Sequence, residues 1–143
     1  MPEAYSALQA GGAIMAPSLW ALFACIVLGI LHISLSSMLS LAQLGPAYIL
    51  SARDEPREPV GLAGRIARSY RNYLENFAQF VAAIALVHFS NTSGALAGVG
   101  AWMFFAGRVF YIPAYAFAPP GVRPIMWMVA QIGVVIILAD LFV

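Results

Sequence analysis

The segment Arg65–Glu75 carries a polar stripe into a membrane-length apolar helix, and this feature constrains the fold more than any other. At about 100° per residue its polar side chains fall within one narrow arc, and apolar side chains lie opposite. Charges at membrane depth are costly and are tolerated where they face other helices or a wet cavity. The first arginine can extend its side chain to the lipid head groups, which explains its presence here. The shorter polar side chains that lie deeper cannot reach the head groups, so the stripe predicts a polar site. Its members are Arg65, Arg68, Arg71, Asn72, Glu75 and Gln79.

The composition is that of a polytopic membrane protein, since 62% of the 143 residues are hydrophobic and only 9% are charged. The mean hydropathy is +0.86. A net charge of +1, without a basic patch among aromatic residues, predicts no nucleic-acid partner. The single Cys25 excludes an internal disulfide and a cysteine-based metal motif. His32 and His88 lie too far apart along the chain to indicate a metal site.

Four apolar segments, each long enough at about 1.5 Å per residue to cross a hydrocarbon core of about 30 Å, predict an all-α membrane protein. Its fold is expected to be a bundle of four transmembrane helices. Residues 1–16 lack a basic signal region and are expected to form a short external or interfacial tail. The polar connection 45–61 is expected to be a solvated loop held by its own ion pairs. The predicted spans cover about residues 18–44, 62–89, 95–116 and 123–142.

The basic residues near the ends of the spans all lie on one side of the predicted bundle. This side carries the 45–61 and 117–123 connections, and the positive-inside rule makes it cytoplasmic. Both termini are then non-cytoplasmic, and the expected location is the bacterial inner membrane. The polar parts of all four spans fall in the same leaflet, which predicts one shared cavity open to the cytoplasmic side. The basic residues are Arg53, Arg57, Arg65 and Arg123.

The predicted cavity contains side chains suited to a small zwitterion with surplus negative charge. Arginines recognise carboxylates through paired hydrogen bonds, and a glutamate can bind an ammonium group. Arg108 lies well inside the third span and needs a buried partner, for which Glu75 is the expected candidate. A purely structural pair of these two residues is therefore an alternative interpretation. The candidate set comprises Arg68, Arg71, Asn72, Glu75, Arg108, Tyr111, Tyr115 and Arg123.

Two motifs in the second to fourth spans carry a resemblance to a known family. They are Arg68-x-x-Arg71-Asn72-x-x-Glu75 and Arg108-x-x-Tyr111-x-x-x-Tyr115, the latter followed by Arg123. Together with the length and the four-span layout, they make the chain resemble a bacterial-type member of the MAPEG family, the membrane-associated proteins in eicosanoid and glutathione metabolism. The resemblance implies a left-handed four-helix bundle that assembles as a homotrimer. It also implies that glutathione, as co-substrate, binds between protomers near the cytoplasmic face.

By the same resemblance, the motif residues hold the tripeptide and Arg123 lies near its sulfur. A free thiol has a pKa of about 8.5, and a nearby arginine lowers it, so more nucleophilic thiolate exists near neutral pH. The implied activity is that of a transferase or peroxidase that acts on lipophilic electrophiles or lipid hydroperoxides from the bilayer. Residues 34–44 lack the basic residues and the aspartate of prostaglandin-synthesising members, so eicosanoid synthesis is not expected.

Two other classes of function fit the same residues. A non-catalytic member could use the cavity to bind lipid or to scaffold a membrane complex, and arginine substitutions would then impair assembly without any glutathione turnover. A four-span transporter could use Glu75 as a coupling carboxylate. Such folds usually contain an inverted repeat, and spans one and two do not resemble spans three and four. The enzyme therefore ranks first, the binding or scaffold protein second and the transporter third.

Overall fold

The computed structural model describes residues 15–90 and 94–143. Within these ranges the chain consists of helices and connecting loops, which confirms the predicted all-helical class. The predicted tail at residues 1–16 lies almost entirely outside the described residues. The helices are α1 (Pro17–Leu44), α2 (Pro46–Ile49), α3 (Gly61–Phe89), α4 (Ala95–Phe117) and α5 (Val122–Ala139), and the 3₁₀ turn Asp140–Phe142 follows α5.

Among the described residues, three helices are long and apolar enough to cross a membrane by length and composition: α1, α4, and α5 with its 3₁₀ turn. Helix α3 is longer than these three, with 29 residues, but its polar first half lowers its hydropathy. It packs against α1, α4 and α5. The chain is therefore a multi-pass membrane protein whose least apolar long helix lies against the other three.

An aromatic face of α3 forms much of the bundle core. Tyr73, Phe77 and Phe80 recur three or four residues apart, so they lie on one side of the helix. Phe80 stacks on Phe104 of α4 with ring centroids 4.2 Å apart, and both rings are fully buried. The Tyr73 hydroxyl donates a hydrogen bond to the backbone carbonyl of Cys25 in α1. These contacts fix the rotation of α3 relative to α1 and α4.

Helices α4 and α5 approach closely because small residues face each other. A Cβ atom on Gly100 would lie 2.5 Å from the carbonyl oxygen of Gly133, and one on Gly107 would lie 2.8 Å from the backbone nitrogen of Ala130. Such contacts with backbone atoms leave no space for a side chain, so both positions need glycine. Small residues at membrane helix interfaces allow this kind of packing.

The start of α4 is capped by a carboxylate from the C-terminal turn. Asp140 is 0% exposed, and its Oδ2 and Oδ1 accept hydrogen bonds of 2.9 Å from the N–H groups of Gly94 and Leu96. The first N–H groups of a helix have no partner within the helix, and negative charge is favourable at this end. The C-terminal turn thus stabilises the opposite end of the bundle from the predicted cavity.

Asp140→Ala is expected to lower the free energy of unfolding by about 1–2 kcal/mol, because two backbone N–H groups lose their charged acceptor. Asp140→Asn should lose less, since an amide oxygen can still accept a hydrogen bond. The matched control is Asp54→Ala, which removes an exposed aspartate. The measurement is the thermal unfolding midpoint of the detergent-purified protein. Equal midpoints for Asp140→Ala and Asp54→Ala would contradict the capping role.

The connection between α1 and α3 is held by neutral side chains more than by ion pairs. Gln43 Oε1 accepts a hydrogen bond of 2.8 Å from the Val60 N–H, and the Tyr48 hydroxyl accepts one of 2.7 Å from the Arg57 N–H. The ion pair of Arg57 with Glu55 spans 3.8 Å between largely exposed side chains, and such pairs contribute little to stability. The described loop thus contains an ion pair of the predicted kind, but the hydrogen bonds of Gln43 and Tyr48 contribute more to holding it.

Candidate functional site

A cavity of about 370 Å³ opens beside α3, α4 and α5. Arg68 and Asn72 are one turn apart on α3, and Tyr111 and Tyr115 are one turn apart on α4, so each pair shares a helix face. Arg123 lies in the first turn of α5. The structure thus brings together five of the eight sequence-predicted site residues. The lining consists of Arg68, Asn72, Tyr111, Tyr115, Arg123, Pro124 and Trp127.

Arg108 lies behind this cavity and is bound to Asn72. It is only 1% exposed, and its Nη1 and Nη2 donate hydrogen bonds of 3.2 and 3.1 Å to Asn72 Oδ1. A guanidinium group can only donate, so the atom of Asn72 that faces it must be the carbonyl oxygen. The amide nitrogen of Asn72 is then left to donate to another group. Arg108 therefore orients an amide that forms part of the cavity wall.

Two tyrosine rings complete the surroundings of Arg108. Its Cζ atom lies 4.6 Å from the ring centroid of Tyr111 and 5.5 Å from that of Tyr73, and such arrangements attract a cation to the aromatic face. The ion pair found among the described residues joins two loop side chains and does not include Arg108. The predicted pair with Glu75 is therefore wrong. An amide and two aromatic rings take the place of the expected carboxylate.

Arg123 and Tyr115 form the end of the cavity next to α5. The Arg123 Cζ atom lies 5.0 Å from the centroid of the Tyr115 ring. In the first turn of a helix the backbone N–H groups have no internal partner and the helix dipole is positive. Side-chain charge and helix dipole therefore reinforce each other and favour an anion here. Gly121, at φ +103°, provides the backbone conformation that brings the chain into this turn.

Arg68 lies close to the loop that precedes α3 because Gly64 has no side chain. A Cβ atom on Gly64 would lie 3.2 Å from Arg68 Nη1 and would collide with the carbonyl oxygen of Pro59. Gly64 thus lets the loop backbone and the arginine approach the same side of α3. Arg68 itself is exposed, so its guanidinium can reach a ligand in the cavity.

Besides Arg108, two residues of the predicted set lie outside the cavity lining. Arg71 and Glu75 are exposed on α3, as is Gln79, whose Oε1 accepts a hydrogen bond of 3.3 Å from Gln131 Nε2. We refer to Arg71, Glu75 and Gln79 as the exposed polar face of α3. At membrane depth such groups are costly unless protein or water covers them. The predicted site therefore divides into a lined cavity and this polar face.

Three residues near the site are not among those predicted. Pro124 and Trp127 line the cavity, and Tyr73 lies against Arg108. The first two could have been predicted from their positions relative to Arg123. Pro124 follows Arg123 in sequence, and Trp127 lies one helical turn further along α5, on the same face. The polar pattern of α3 does not identify Tyr73 as a site residue, because Tyr73 belongs to the aromatic face of this helix.

The cavity is rich in hydrogen-bond donors. It offers two guanidinium groups, two phenols and an amide, and guanidinium groups carry no acceptor. Within residues 15–90 and 94–143, no group of three or more histidine, cysteine, aspartate or glutamate side chains could hold a metal ion. The lining is thus suited to an anionic ligand with several oxygen atoms. It can orient such a ligand and stabilise negative charge beside Arg123.

Comparison with known families gives a match over nearly the whole chain. A family model described as the MAPEG family covers residues 19–143, which include every residue of the cavity lining. No curated protein and no solved structure matches the chain. The family match spans all four long helices from the first turn of α1 onward, so it concerns the fold as well as the site.

Proposed function

Because the chain belongs to the MAPEG family, we propose that it is a membrane-bound, glutathione-dependent transferase or peroxidase. Its second substrate is a lipophilic electrophile or a lipid hydroperoxide that arrives from the bilayer. The observation that carries the proposal is the convergence of Arg68, Asn72, Tyr111, Tyr115 and Arg123 on one cavity. They come from three helices of a membrane protein, where polar side chains are costly and their clustering around a cavity therefore marks a functional site.

Glutathione, as co-substrate, fits the donor-rich lining. The tripeptide carries two carboxylates, an ammonium group, two peptide groups and a thiol. Arg68 can bind a carboxylate, and the Asn72 amide nitrogen can donate to a peptide carbonyl. Glu75 lies on the exposed polar face, where it can bind the ammonium group of a ligand held between two protomers.

Arg123 is the group that we assign to the sulfur. A neighbouring cation or a helix N-terminus lowers the pKa of a thiol from its free value of about 8.5. Arg123 supplies the cation and the first turn of α5 supplies the helix N-terminus. More of the bound glutathione is then in the thiolate form near neutral pH, and the thiolate is the nucleophile.

Both reactions follow from this thiolate. In conjugation, the sulfur forms a bond to the electrophilic carbon, and the leaving group or opened ring takes the electron pair and a proton. In peroxide reduction, the sulfur attacks the terminal peroxide oxygen and keeps it as a sulfenic acid. The O–O bond breaks, and the departing alkoxide takes a proton from water to leave as the alcohol. A second glutathione then displaces hydroxide from the oxidised sulfur, which yields the glutathione disulfide and water. Holding the reactants in one cleft provides much of the rate gain.

The exposed polar face of α3 supports the proposed homotrimer. Arg71, Glu75 and Gln79 lie on the outside of a single protomer, and at membrane depth they need protein or water around them. A neighbouring protomer would cover them and would complete a site between subunits. The distribution of loop arginines further supports cytoplasmic loops and non-cytoplasmic termini. The membrane that we propose is the bacterial inner membrane.

The proposal is tested by titrating glutathione into the detergent-purified protein in a calorimeter. Wild type is expected to bind, and Arg68→Leu is expected to weaken binding roughly tenfold, because a charge-assisted hydrogen bond is lost. The matched control is Arg65→Leu, which removes an exposed arginine of α3 outside the cavity lining and should bind like wild type. No binding heat for wild type at millimolar glutathione would contradict the proposal.

A second candidate, lipid binding without catalysis, is favoured by another feature. A groove of about 410 Å³ between α1 and α4 is lined only by apolar side chains. It could hold a hydrocarbon chain, but it offers no catalytic group. If glutathione does not bind while lipid co-purifies, this candidate replaces the first. The lining of this α1–α4 groove is Trp20, Phe23, Ala24, Val27, Leu28, Leu31, Trp102 and Phe105.

A further inference from the structure

A group of buried polar atoms lies behind the polar cavity, between α1, α3 and α4. The group consists of both ring nitrogens of His32, the hydroxyl oxygen of Ser69 and Arg108 Nε. None of these atoms has a hydrogen-bond partner among the described residues. The three side chains are 2%, 0% and 1% exposed, in the same order. Burying a polar atom without a hydrogen bond is costly, so these atoms call for a partner.

The Tyr73 ring places these side chains at one level of the bundle. The centroid of the His32 ring lies 5.9 Å from the centroid of the Tyr73 ring, and Arg108 Cζ lies 5.5 Å from the same point. Ser69 lies one turn before Tyr73 on the buried face of α3. The next residue along this helix is Tyr70, whose ring centroid is 5.4 Å from that of His32. Three helices thus direct these polar groups to the same part of the interior.

Small residues on α1 flank His32 on both sides. Gly29 precedes it by one turn, and a Cβ atom on Gly29 would lie 3.0 Å from the Tyr73 ring, so this ring fills the space on that side. Ser36 follows His32 by one turn and is only 6% exposed. Because α1 and α3 are antiparallel, the Ser36 side of His32 is also the side of Ser69. Only short side chains thus face each other there, which favours a ligand as small as water.

The donors and acceptors of this group match water better than an ion. A neutral imidazole has one donor and one acceptor nitrogen, a hydroxyl group does both, and the arginine Nε–H only donates. An anion would leave the imidazole acceptor unpaired, and a cation would be repelled by the Arg108 guanidinium. Water donates and accepts, and buried waters typically make about three hydrogen bonds to polar groups that lack other partners.

We propose that buried water binds between His32, Ser69 and Arg108 Nε, and joins α1 and α3 to the arginine behind the cavity. The water accepts a hydrogen bond from Arg108 Nε–H and donates to the Ser69 oxygen or to the imidazole. The other end of the guanidinium donates to Asn72 Oδ1, so the water and the amide together fix its orientation. This inference goes beyond the proposed function and does not depend on glutathione as the ligand.

The sign of a stability change distinguishes a hydrated site from a dry one. In a dry site Ser69→Ala would remove a buried unpaired hydroxyl and add a better helix former, so the thermal unfolding midpoint would rise. In a hydrated site the same change removes a partner of the water, and the midpoint is expected to fall by about 3 °C. The matched control is Ser37→Ala, which removes an exposed hydroxyl of α1 and should leave the midpoint unchanged.

Solid-state NMR of the full-length protein in phosphatidylcholine bilayers detects the water itself. The chain has two histidines, the buried His32 and the exposed His88, and His32→Phe assigns their signals in protein labelled with ¹⁵N-histidine. Magnetisation from water protons is expected to reach both imidazoles in wild type. In Ser69→Ala it should be largely lost from His32 and unchanged at His88.

Both measurements are needed to support the inference. Transfer from water to His32 that falls in Ser69→Ala, together with a lower midpoint for this variant, supports it. Three results overturn it: no transfer to His32 while His88 receives it, transfer to His32 that Ser69→Ala leaves unchanged, or a midpoint of Ser69→Ala at or above that of wild type. All samples are free of glutathione, so the result is independent of the proposed function.

Discussion

Replacing Arg123 with leucine is expected to lower kcat/KM for glutathione-dependent turnover by about 100-fold or more, while glutathione still binds. Arg123 lies in the cavity wall at the first turn of α5, where we assign it to the sulfur. Without this cation the pKa of the bound thiol should move back toward about 8.5. The thiolate fraction near neutral pH then falls, and the negative charge of the transition state is less well stabilised.

The pH dependence separates this role from a structural one. A higher thiol pKa in Arg123→Leu means that thiolate forms only at higher pH, so the rise of activity should move in that direction. The ultraviolet absorbance of thiolate in the glutathione complex should fall at neutral pH, whereas Arg123→Lys, which keeps the charge, should retain much of it. Arg65→Leu is the control for the loss of an arginine charge. An unchanged pH profile and thiolate absorbance in Arg123→Leu would refute the assignment.

The part of the site that follows from helix periodicity could be predicted from the sequence. Arg68 and Asn72, like Tyr111 and Tyr115, are four residues apart, and this spacing alone puts each pair on one face. Because polar side chains are costly when they face lipid, the polar faces of neighbouring helices are expected to turn toward one another. Together the two rules predict a shared cavity, and all four of these side chains line it. Helix periodicity thus predicts which side chains of α3 and of α4 line the cavity.

The partner of Arg108 could not be predicted in this way, because it depends on how the helices are rotated about their axes. Asn72 and Glu75 lie on the same arc of α3, so periodicity does not decide which of them faces α4. The close contact of Gly107 with Ala130 and the stacking of aromatic rings between α3 and α4 set that rotation. They turn Asn72 toward Arg108 and leave Glu75 exposed.

Contacts between distant parts of the chain could likewise not be predicted from sequence patterns. Asp140 caps α4 from more than forty residues away, and its position in the sequence indicates only a helix end near an interface. Gln43 closes the first loop through the backbone of Val60, whereas the charge pattern of that loop suggested ion pairs. In both cases the bonded partner is a backbone group, which sequence patterns of side chains do not reveal.

Asn72→Ala is expected to destabilise the protein by about 3 kcal/mol, because it leaves a buried cation without its side-chain acceptor. Both hydrogen bonds of the Arg108 side chain go to Asn72 Oδ1, and Arg108 is 1% exposed. The tyrosine rings on either side contribute attraction but cannot accept those N–H groups in the same way. The measurement is the unfolding midpoint in detergent, together with glutathione calorimetry. We expect both stability and binding to fall.

The double variant Asn72→Ala/Arg108→Met distinguishes a stranded charge from a simple loss of packing. Methionine fills much of the space of arginine without a charge, so the double variant should be more stable than Asn72→Ala alone. Glutathione binding should stay weak in both, because the amide that Arg108 orients is absent from both. If the double variant is instead less stable by the sum of the two single changes, Arg108 and Asn72 act independently. The buried arginine would then be stabilised by its aromatic neighbours, and Asn72 would belong to the cavity alone.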